Sequence, residues 1–456
     1  MSIRTKLQER REVRSAIRHR AGGIPNSTPS VNRLFYPPHG CTTAHLMAAY
    51  PFMSAPGIGA RGVYIGQEVA GASFCFDPWE LYTQGLLTNP NMLIAGQVGR
   101  GKSSLVKSLL IRQQVFGRKA AVLDPKGEYT PLAEAIGSPV VKLAPGGSIR
   151  LNPLDPGPGA RELDDDEVLR RQSALLQALV ESSLGRSLRP EERTACDIAL
   201  LSVRKSRFDE PTIPEVVGAL LDPSPEAAAT VFTTAESLAL NSRDVALELR
   251  RLCEGDLRGM FDGRTNVKVD WEGSLVVLDL SALFASPALG LLMTCATAWL
   301  QAAISRPNGG KRFVVIDEAW AVLNNVGVSR WLQQSYKLSR SYGVSNVAVI
   351  HRLTDLRAVG AAGSEAYALA HGLLSDTETR IIYSQPHSEM AVATELLGLS
   401  HTESEVLPQL GRGVALWKVG RSSHLVQHRL GRIEKGIVDT DARMLTTSAV
   451  TGAGNA

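Results

Sequence analysis

Residues 91–104 read NMLIAGQVGRGKSS, in which a short apolar run leads into a glycine-rich segment that ends in lysine and serine. Positions 96–103 satisfy the spacing G-x-x-x-x-G-K-[ST], which is typical of a loop that binds nucleotide phosphates. Glycines allow successive backbone N–H groups to point into one concavity, and the following helix directs its positive dipole end to the same place. The flanking segments indicate a buried strand before the loop and an amphipathic helix after it. The stretch therefore predicts a phosphate-binding loop on an α/β domain.

The side chains at the fixed positions of this loop have defined tasks. We expect Lys102 to reach the β- and γ-phosphates of ATP and the Ser103 hydroxyl to ligate Mg²⁺. The predicted nucleotide-binding residues are Gly96, Gln97, Val98, Gly99, Arg100, Gly101, Lys102, Ser103 and Ser104. The alternative interpretation is a glycine-rich surface turn without a ligand.

A second segment, FVVIDEAW at 313–320, supplies the acidic partner that such a loop requires. Its four apolar residues indicate a buried strand, and the carboxyl end of that strand delivers Asp317 and Glu318 to the crevice where α/β folds bind ligands. Asp317 is expected to hold Mg²⁺ through a water, opposite Ser103, and Glu318 to orient and polarise the attacking water. The alternative is that the two carboxylates only end a strand at the surface.

Polar residues at other strand ends have two interpretations each. In LDPKGEY, Asp124 and Glu128 either assist Mg²⁺ and the catalytic water or cap the next helix. His351, which ends the apolar run NVAVI, is either a sensor of the γ-phosphate or a structural residue.

Hydrolysis spreads negative charge over the phosphate oxygens, so an inserted guanidinium group accelerates it. The candidates are Arg340, Arg380 and Arg412, of which Arg340 is preferred and Arg380 comes second. In a ring of identical subunits, such an arginine comes from the neighbouring subunit. The alternative for each is a surface salt bridge. The predicted catalytic residues are thus Glu318, Arg340, Arg380 and His351.

Strands alternate with helices around the loop, which predicts a RecA-like α/β P-loop core with a mainly parallel sheet. Strand signals are absent between 161 and 265, where helical spacings indicate an inserted all-helical subdomain. The expected organisation is a basic arm at 1–22, an extended lead-in at 23–60, the ATPase core at 61–160 and 266–435, the helical insertion at 161–265 and a flexible tail at 436–456.

The net charge of +4 is distributed unevenly along the 456 residues. Residues 1–20 contain seven lysines and arginines against two glutamates, so this segment carries +5 and the rest of the chain about −1. This arm is expected to be a solvated segment or to bind an anionic membrane, nucleic acid or a partner weakly.

Cysteine usage and hydropathy exclude several classes. Five scattered cysteines without a C-x-x-C pair argue against a disulfide framework and a zinc site, and indicate a reducing compartment. The longest apolar stretch, 288–304, is interrupted by Thr294, Thr297 and Gln301 and is predicted to be a core helix rather than a membrane span.

The order of these motifs resembles that of a known group of proteins. The loop GQVGRGKSS, the strand LDPKGEY, the turn LNPLDP, the helical segment ending in GMFDGRTN, LVVLDLS and VVIDEAW follow one another as in the HerA–FtsK superfamily of ring-forming motor ATPases. More narrowly, residues 60–430 are similar to the conjugative-transfer ATPases of type IV secretion systems, including the TraC-like branch. Two features depart from the family: His351 stands where glutamine is usual, and about 60 residues replace the large amino-terminal docking domain.

The resemblance implies a homohexameric ring that hydrolyses ATP with Mg²⁺ and energises conjugative DNA transfer or type IV secretion-like transport. It assigns Lys102 and Ser103 to nucleotide and Mg²⁺, Asp317 and Glu318 to hydrolysis, and Arg340 with Lys337 to a motif that reaches across a subunit boundary. The implied location is cytoplasmic, or peripheral at the inner face of the cell membrane, with inner-membrane channel proteins and DNA as partners.

Two other functions compete with this interpretation. A DNA-translocating ATPase of the HerA/FtsK type would not be tied to a secretion channel, and the lack of net positive charge outside the basic arm argues against it. A nucleotide-gated scaffold would bind ATP without hydrolysing it, and the presence of both Asp317 and Glu318 argues against that function.

Overall fold

The computed structural model describes residues 57–157, 164–206, 210–255, 257–286, 288–304, 310–319, 339–351 and 376–438, together with Gln8, Ser329, Gln333, Tyr336, Lys337 and 372–374. The chain divides into two units, Met1–Met53 and Ser54–Ala456, and everything reported below belongs to the second. The predicted basic arm, apart from Gln8, and the predicted lead-in up to residue 56 lie outside the described residues.

One sheet contains all eleven strands of the described residues. The strands are β1 Val63–Glu68, β2 Ser73–Phe76, β3 Met92–Ala95, β4 Lys119–Asp124, β5 Val140–Lys142, β6 Leu275–Asp279, β7 Arg312–Ile316, β8 Val344–Ile350, β9 Thr379–Tyr383, β10 Val414–Val419 and β11 Ser422–His428. Their order across the sheet is β2-β1-β11-β10-β9-β3-β8-β7-β4-β6-β5. The strands from β9 to β5 in this order are parallel, and β10, β11, β1 and β2 continue the sheet in antiparallel pairs. The predicted α/β fold with a mainly parallel sheet is confirmed.

Helices cover both faces of this sheet. Those in the described residues are α1 Pro78–Thr83, α2 Lys102–Gln113, α3 Thr130–Ile136, α4 Asp165–Leu184, α5 Pro190–Ser206, α6 Ile213–Leu221, α7 Pro225–Ala229, α8 Ala235–Glu254, α9 Leu289–Ile304, α10 Met390–Leu397, α11 His401–Val406 and α12 Arg432–Val438. Helix α12 continues three residues into the segment predicted as a flexible tail, so the expected boundary at 436 lies within a helix.

The alternation of side chains along β3 divides the core into two layers. Met92 and Ile94 belong to the buried cluster that includes the apolar face of α2, whereas Leu93 and Ala95 belong to the cluster on the opposite face. Successive side chains of a strand point to opposite faces, so a strand that is apolar throughout must be covered on both sides. Strand β3 therefore lies in the centre of the domain, and this fixes the position of the loop that follows it.

Helices α4 to α8 form the segment in which the sequence lacks strand signals. Every strand of the described residues lies outside 164–254, and α6 begins with a capping box, in which Glu215 Oε2 accepts the Thr212 N–H at 3.0 Å. Buried leucines of α4, such as Leu176 and Leu179, lie in the same apolar cluster as one face of the sheet. The helical segment thus shares its core with the sheet, while the boundaries 161 and 265 stay a prediction.

The apolar stretch 288–304 forms α9, and its central residues are buried in the cluster that joins the helical segment to the sheet. In the parts of the chain that the structure describes, we find no helix with the length and apolar character needed to span a membrane.

Candidate functional site

The glycine-rich loop joins β3 to α2 and is anchored to neighbouring strands by backbone hydrogen bonds. Gln97 N–H donates to the Ser384 carbonyl at 3.2 Å, directly after β9. Gly413 N–H donates to the Arg100 carbonyl at 2.9 Å, directly before β10. The loop is therefore held at both its first and its last turn.

Two glycines of the loop are required by its backbone. Gly96 has φ +150°, and a Cβ at this position would lie 2.5 Å from the Tyr383 Cβ. Gly101, with φ +110°, is the N-cap of α2 and has the left-handed conformation that side chains disfavour. The glycines thus permit both the close approach to β9 and the turn that directs the N-terminus of α2 toward the loop.

Lys102 is the first residue of α2, and its ammonium group is turned into the loop. It donates to the carbonyls of Gly96 and Gln97, to the latter at 2.9 Å. Burial lowers the pKa of Lys102 to about 8, against the opposing effect of the Asp317 and Glu318 carboxylates. The lysine and the acidic pair therefore face the same small region.

Asp317 and Glu318 directly follow β7, at the edge of the sheet where the loop also lies. Asp317 N–H donates to the Leu123 carbonyl of β4 at 3.3 Å, and its side chain is buried. The pKa of Asp317 is raised to about 7, mainly by burial and in addition by the nearby carboxylates of Glu318, Glu128 and Asp124. A carboxylate in this position is stabilised by a cation, which is the property required of a Mg²⁺ ligand.

Glu318 has a backbone that non-glycine residues rarely adopt, with φ +54°. Its N–H donates to Asp317 Oδ1 at 3.0 Å, and its side chain is 2% exposed. The Glu318 Oε1 atom lies 2.5 Å from His351 Nε2 and forms an ion pair with the Lys126 ammonium group. Burial alone would raise the pKa of Glu318, but the hydrogen bonds from His351 and Lys126 lower it to about 2. Glu318 is therefore ionised at neutral pH and is able to accept a proton.

Strand β8 explains why His351 is placed between the two motifs. Since β8 lies between β3 and β7 in the sheet, the residue that follows it has the loop on one side and Glu318 on the other. His351 also lines a cavity at the loop, as described below. The structure thus brings His351 to the site, and its role stays a prediction.

Asp124 supports the turn that follows β4, and it does not provide the side-chain N-cap of α3. Its buried carboxylate accepts N–H groups of Lys126 at 3.2 Å, Glu128 at 3.0 Å and Tyr129 at 2.7 Å, and so builds the turn after β4. Glu128 Oε2 lies 4.0 Å from Lys107 Nζ in α2. The carboxylate of Asp124 is thus engaged by the turn.

The oxygen atoms available at the site fit Mg²⁺. Ser103 is half-buried in the first turn of α2, and Asp317 presents a buried carboxylate at the end of the nearby strand. Mg²⁺ prefers one or two such oxygens together with substrate phosphates and waters over an all-protein cage. Consistently, no group of three or more His, Cys, Asp and Glu side chains capable of holding a metal occurs in the described part of the chain.

A cavity of about 590 Å³ opens at the loop. It is lined by Gln97, Val98, Gly99, Arg100, His351, Pro386 and Arg412. The two arginines give this cavity a cationic wall, which suits an anionic ligand. A second cavity, of about 380 Å³, lies among α5, α6 and α8 and contains no residue of the loop or of the acidic pair.

The two preferred arginines lie elsewhere in the chain. Arg380 is near the amino end of β9, where its guanidinium donates to the carbonyls of Leu374 at 3.0 Å, Leu397 at 3.1 Å and Thr377 at 3.2 Å. Arg340 is exposed in the turn before β8, at the edge of the sheet opposite to the loop. The structure therefore brings neither arginine to the site of its own chain, whereas it does bring Arg412 there.

Lys126 was not predicted as a site residue. It stands in the middle of LDPKGEY, a segment whose predicted site residues are only Asp124 and Glu128. The available signal was that a turn after a strand next to the acidic strand must also lie at the ligand edge of a parallel sheet.

Comparisons with known proteins give one curated relative. No protein-family profile matches the chain. TraC of Escherichia coli (strain K12) is 24% identical over 318 residues, which make up 68% of this chain and 34% of TraC. The chain thus spans about a third of the length of the curated relative that it matches.

Solved structures extend the likeness to more than four fifths of the chain. VirB4 of Thermoanaerobacter pseudethanolicus superposes with a TM-score of 0.69 at 21% identity, over 83% of this chain and 100% of that chain. The chain shares the fold of VirB4. The plasmid coupling protein TrwB, solved in complex with ADP and Mg²⁺, superposes with a TM-score of 0.55 at 14% identity, over 82% of this chain and 91% of that chain. At these identities the likeness establishes the fold, a RecA-like α/β core.

Proposed function

We propose that this chain is an ATP-hydrolysing ring motor that energises conjugative DNA transfer or type IV secretion-like transport. The observation that carries the ATPase assignment is the meeting of Lys102, Asp317 and Glu318 at the carboxyl ends of β3 and β7, two parallel strands that only β8 separates. The likeness to TraC, to VirB4 and to a coupling protein crystallised with ADP and Mg²⁺ supports the choice of motor class.

The residues of the site have distinct tasks in this proposal. The backbone N–H groups of the loop and the Lys102 ammonium group bind the phosphates of ATP. Ser103 and Asp317 hold Mg²⁺, which neutralises charge between the β- and γ-phosphates. Glu318, ionised and fixed by its neighbours, accepts a hydrogen bond from the attacking water and orients it toward the γ-phosphate. Arg412 supplies positive charge at the outer wall of the phosphate site, which His351 also lines.

The assembly and its surroundings belong to the same proposal. We expect a homohexamer in which Arg340 of one subunit reaches the site of the next, since it is exposed and distant from its own. We expect the motor to work in the cytoplasm or at the inner face of the cell membrane, with channel proteins and DNA as partners.

Two substitutions separate binding from hydrolysis. Lys102→Ala should weaken ATP binding by about 100-fold or more, because the loop loses its only phosphate-facing ammonium group. Glu318→Gln should retain ATP binding and lower kcat by about 10²- to 10⁴-fold, because an amide cannot accept the proton. Calorimetric titration and phosphate release measure the two effects, with Glu405→Gln as a matched exposed control. Normal turnover by Glu318→Gln would refute the assignment of the base.

The same assay with duplex DNA distinguishes the two motor functions. A many-fold stimulation that falls steeply with salt favours the DNA-translocating alternative, because counterion release accompanies tracking of the phosphate backbone. A flat response favours the secretion-type motor.

A further inference from the structure

Two side chains of the described residues, Lys126 and His351, contact the Glu318 carboxylate, and Lys126 is a lysine close to it. Its ammonium group forms an ion pair with Glu318 Oε1 and lies 3.1 Å from His351 Nε2. It also lies 5.5 Å from the centre of the Phe284 ring. The side chain is 27% exposed, so the ammonium group is partly withdrawn from water and has three neighbours that define its position.

The turn that carries Lys126 is rigid. Asp124 accepts the N–H groups of Lys126, Glu128 and Tyr129, which fixes three residues of the turn to the end of β4. Gly127 has φ +70°, a conformation that suits glycine at this point of the turn. The position of Lys126 beside the acidic strand is therefore built into the fold.

The contact with Lys126 occupies the same carboxylate that should orient water. Lys126 and His351 both approach Oε1 of Glu318, a side chain that is almost fully buried. A carboxylate in an ion pair with an ammonium group is a weaker acceptor toward water, because its charge is already compensated. In this state Glu318 is held in place but is a poor base.

A bound triphosphate offers Lys126 a stronger anion. The terminal phosphate carries about two negative charges where Glu318 carries one, and an ammonium group with three N–H donors is able to change partners without changing its charge. Burial and, to a smaller extent, the Lys126 charge lower the pKa of Lys102, so the two ammonium groups belong to the same region of the site as the acidic pair.

We infer that Lys126 is a positioning residue that holds the Glu318 carboxylate when no triphosphate is bound and transfers to the terminal phosphate when ATP binds. This inference rests on the proposed ATPase function. It couples the arrival of the γ-phosphate to the release of Glu318, since ADP lacks the group that draws Lys126 away. The device therefore makes the site selective for the triphosphate and activates the base only after ATP has bound.

The test compares Lys126→Met with Lys126→Arg and with a matched control. The control is Lys119→Met, because Lys119 lies at the other end of β4 and pairs with Glu272. Affinities for ADP and for a non-hydrolysable ATP analogue are measured by calorimetry with Mg²⁺ present. Lys126→Met should lower the affinity for the analogue by about tenfold and leave that for ADP within about twofold, whereas Lys126→Arg and Lys119→Met should keep the wild-type ratio.

Steady-state kinetics supply the second readout. Lys126→Met should raise KM for ATP by about tenfold and leave kcat within about threefold, because the variant loses a contact to the terminal phosphate while Glu318 is released in both proteins once ATP is bound. An unchanged ratio of analogue to ADP affinity in a folded Lys126→Met protein would overturn the inference alone. Failure of the wild-type protein to bind ATP, or normal turnover by Glu318→Gln, would instead overturn the proposed function and the inference with it.

Discussion

Glu318 combines a strained backbone with a tightly held side chain. A non-glycine residue with φ +54° costs about 1–3 kcal/mol, and such a conformation persists only where the surroundings over-determine it. Here the Glu318 N–H donates to Asp317 Oδ1, and the side chain contacts His351 and Lys126. The carboxylate thus contacts the residue that follows β8, the strand between the loop strand β3 and β7.

His428 makes the stability of the protein depend on pH. Its pKa is lowered to about 4, mainly by burial and in addition by the Arg112 guanidinium, while Nε2 lies 2.8 Å from Ser108 Oγ. Since the unfolded chain binds this proton with a pKa near 6.5, its contribution to stability is fully present above that value. It is lost as the pH falls from about 6.5 toward about 4, by up to about 1.4 kcal/mol per pH unit.

His428→Gln should flatten this dependence, because glutamine preserves a hydrogen bond to Ser108 without titrating. The free energy of unfolding, measured in urea at pH 7.5, 6 and 5, should fall less steeply in the variant than in the wild-type protein. His401→Gln is the control, since His401 is exposed in α11. Parallel curves for wild type and His428→Gln would contradict the assignment.

At the scale of elements, Arg112 connects the loop helix to both ends of the described chain. Its guanidinium donates to the two carboxylate oxygens of Glu434 at 2.7 and 2.6 Å, and to the carbonyls of Tyr64 and Arg429 at 2.6 Å each. Helix α2, strand β1 and helix α12 thus meet at one side chain. Lysine lacks the planar fork that satisfies several acceptors at once.

Arg112→Lys should therefore destabilise the fold by about 1–3 kcal/mol, because charge-assisted hydrogen bonds to partly buried acceptors are lost. Urea unfolding measures the change. Arg250→Lys is the matched control, since the Arg250–Glu254 pair is exposed on α8 and should contribute less than about 1 kcal/mol. Equal effects of the two substitutions would show that the contacts of Arg112 are no more stabilising than those of a surface pair.

The elements that the sequence predicted are those with strong local patterns. Strands β3 and β7 are short apolar runs next to fixed motifs, and α9 is a long apolar segment between strands, so local composition was sufficient. The antiparallel part of the sheet could not be predicted in this way. Strand β1 pairs with β11, in the register Gly66 with His428, and no local pattern specifies a partner more than 350 residues away.

The site was predictable where spacing along the chain determines position. The loop residues and the acidic pair occupy fixed distances from the ends of their strands, so their meeting follows from a parallel sheet. Arg380 lacks such a constraint, and its carbonyl partners at Leu374 and Leu397 belong to segments that only the tertiary fold brings together. The contact between Lys126 and Glu318 could not be predicted for the same reason, because the two residues are 192 positions apart in the sequence.

At the scale of the whole molecule, the candidate site lies at the carboxyl ends of the parallel strands, and Arg340 lies at their amino ends. The parallel strands β3, β8, β7 and β4 all end at the loop, whereas Arg340 precedes β8 at the opposite edge. An exposed arginine so placed cannot serve its own loop without a large rearrangement. In a ring, identical interfaces bring the surface of each subunit to the site of its neighbour.

Complementation between two inactive variants tests this arrangement. Lys102→Ala removes the loop lysine and keeps Arg340, and Arg340→Ala does the reverse, so each alone should hydrolyse ATP at less than about 5% of the wild-type rate. When the two are mixed as dissociated subunits and reassembled at 1:1, about a quarter of the interfaces combine an intact loop with an intact arginine, and activity should recover to about a quarter of the wild-type rate. Lys102→Ala mixed with Lys102→Ala/Arg340→Ala should stay inactive, because no interface in that mixture contains an intact loop. A 1:1 mixture of the two single variants that is as inactive as its components would mean that Arg340 acts within its own subunit or in folding, since only an arginine supplied across the interface can restore a site from two defective chains.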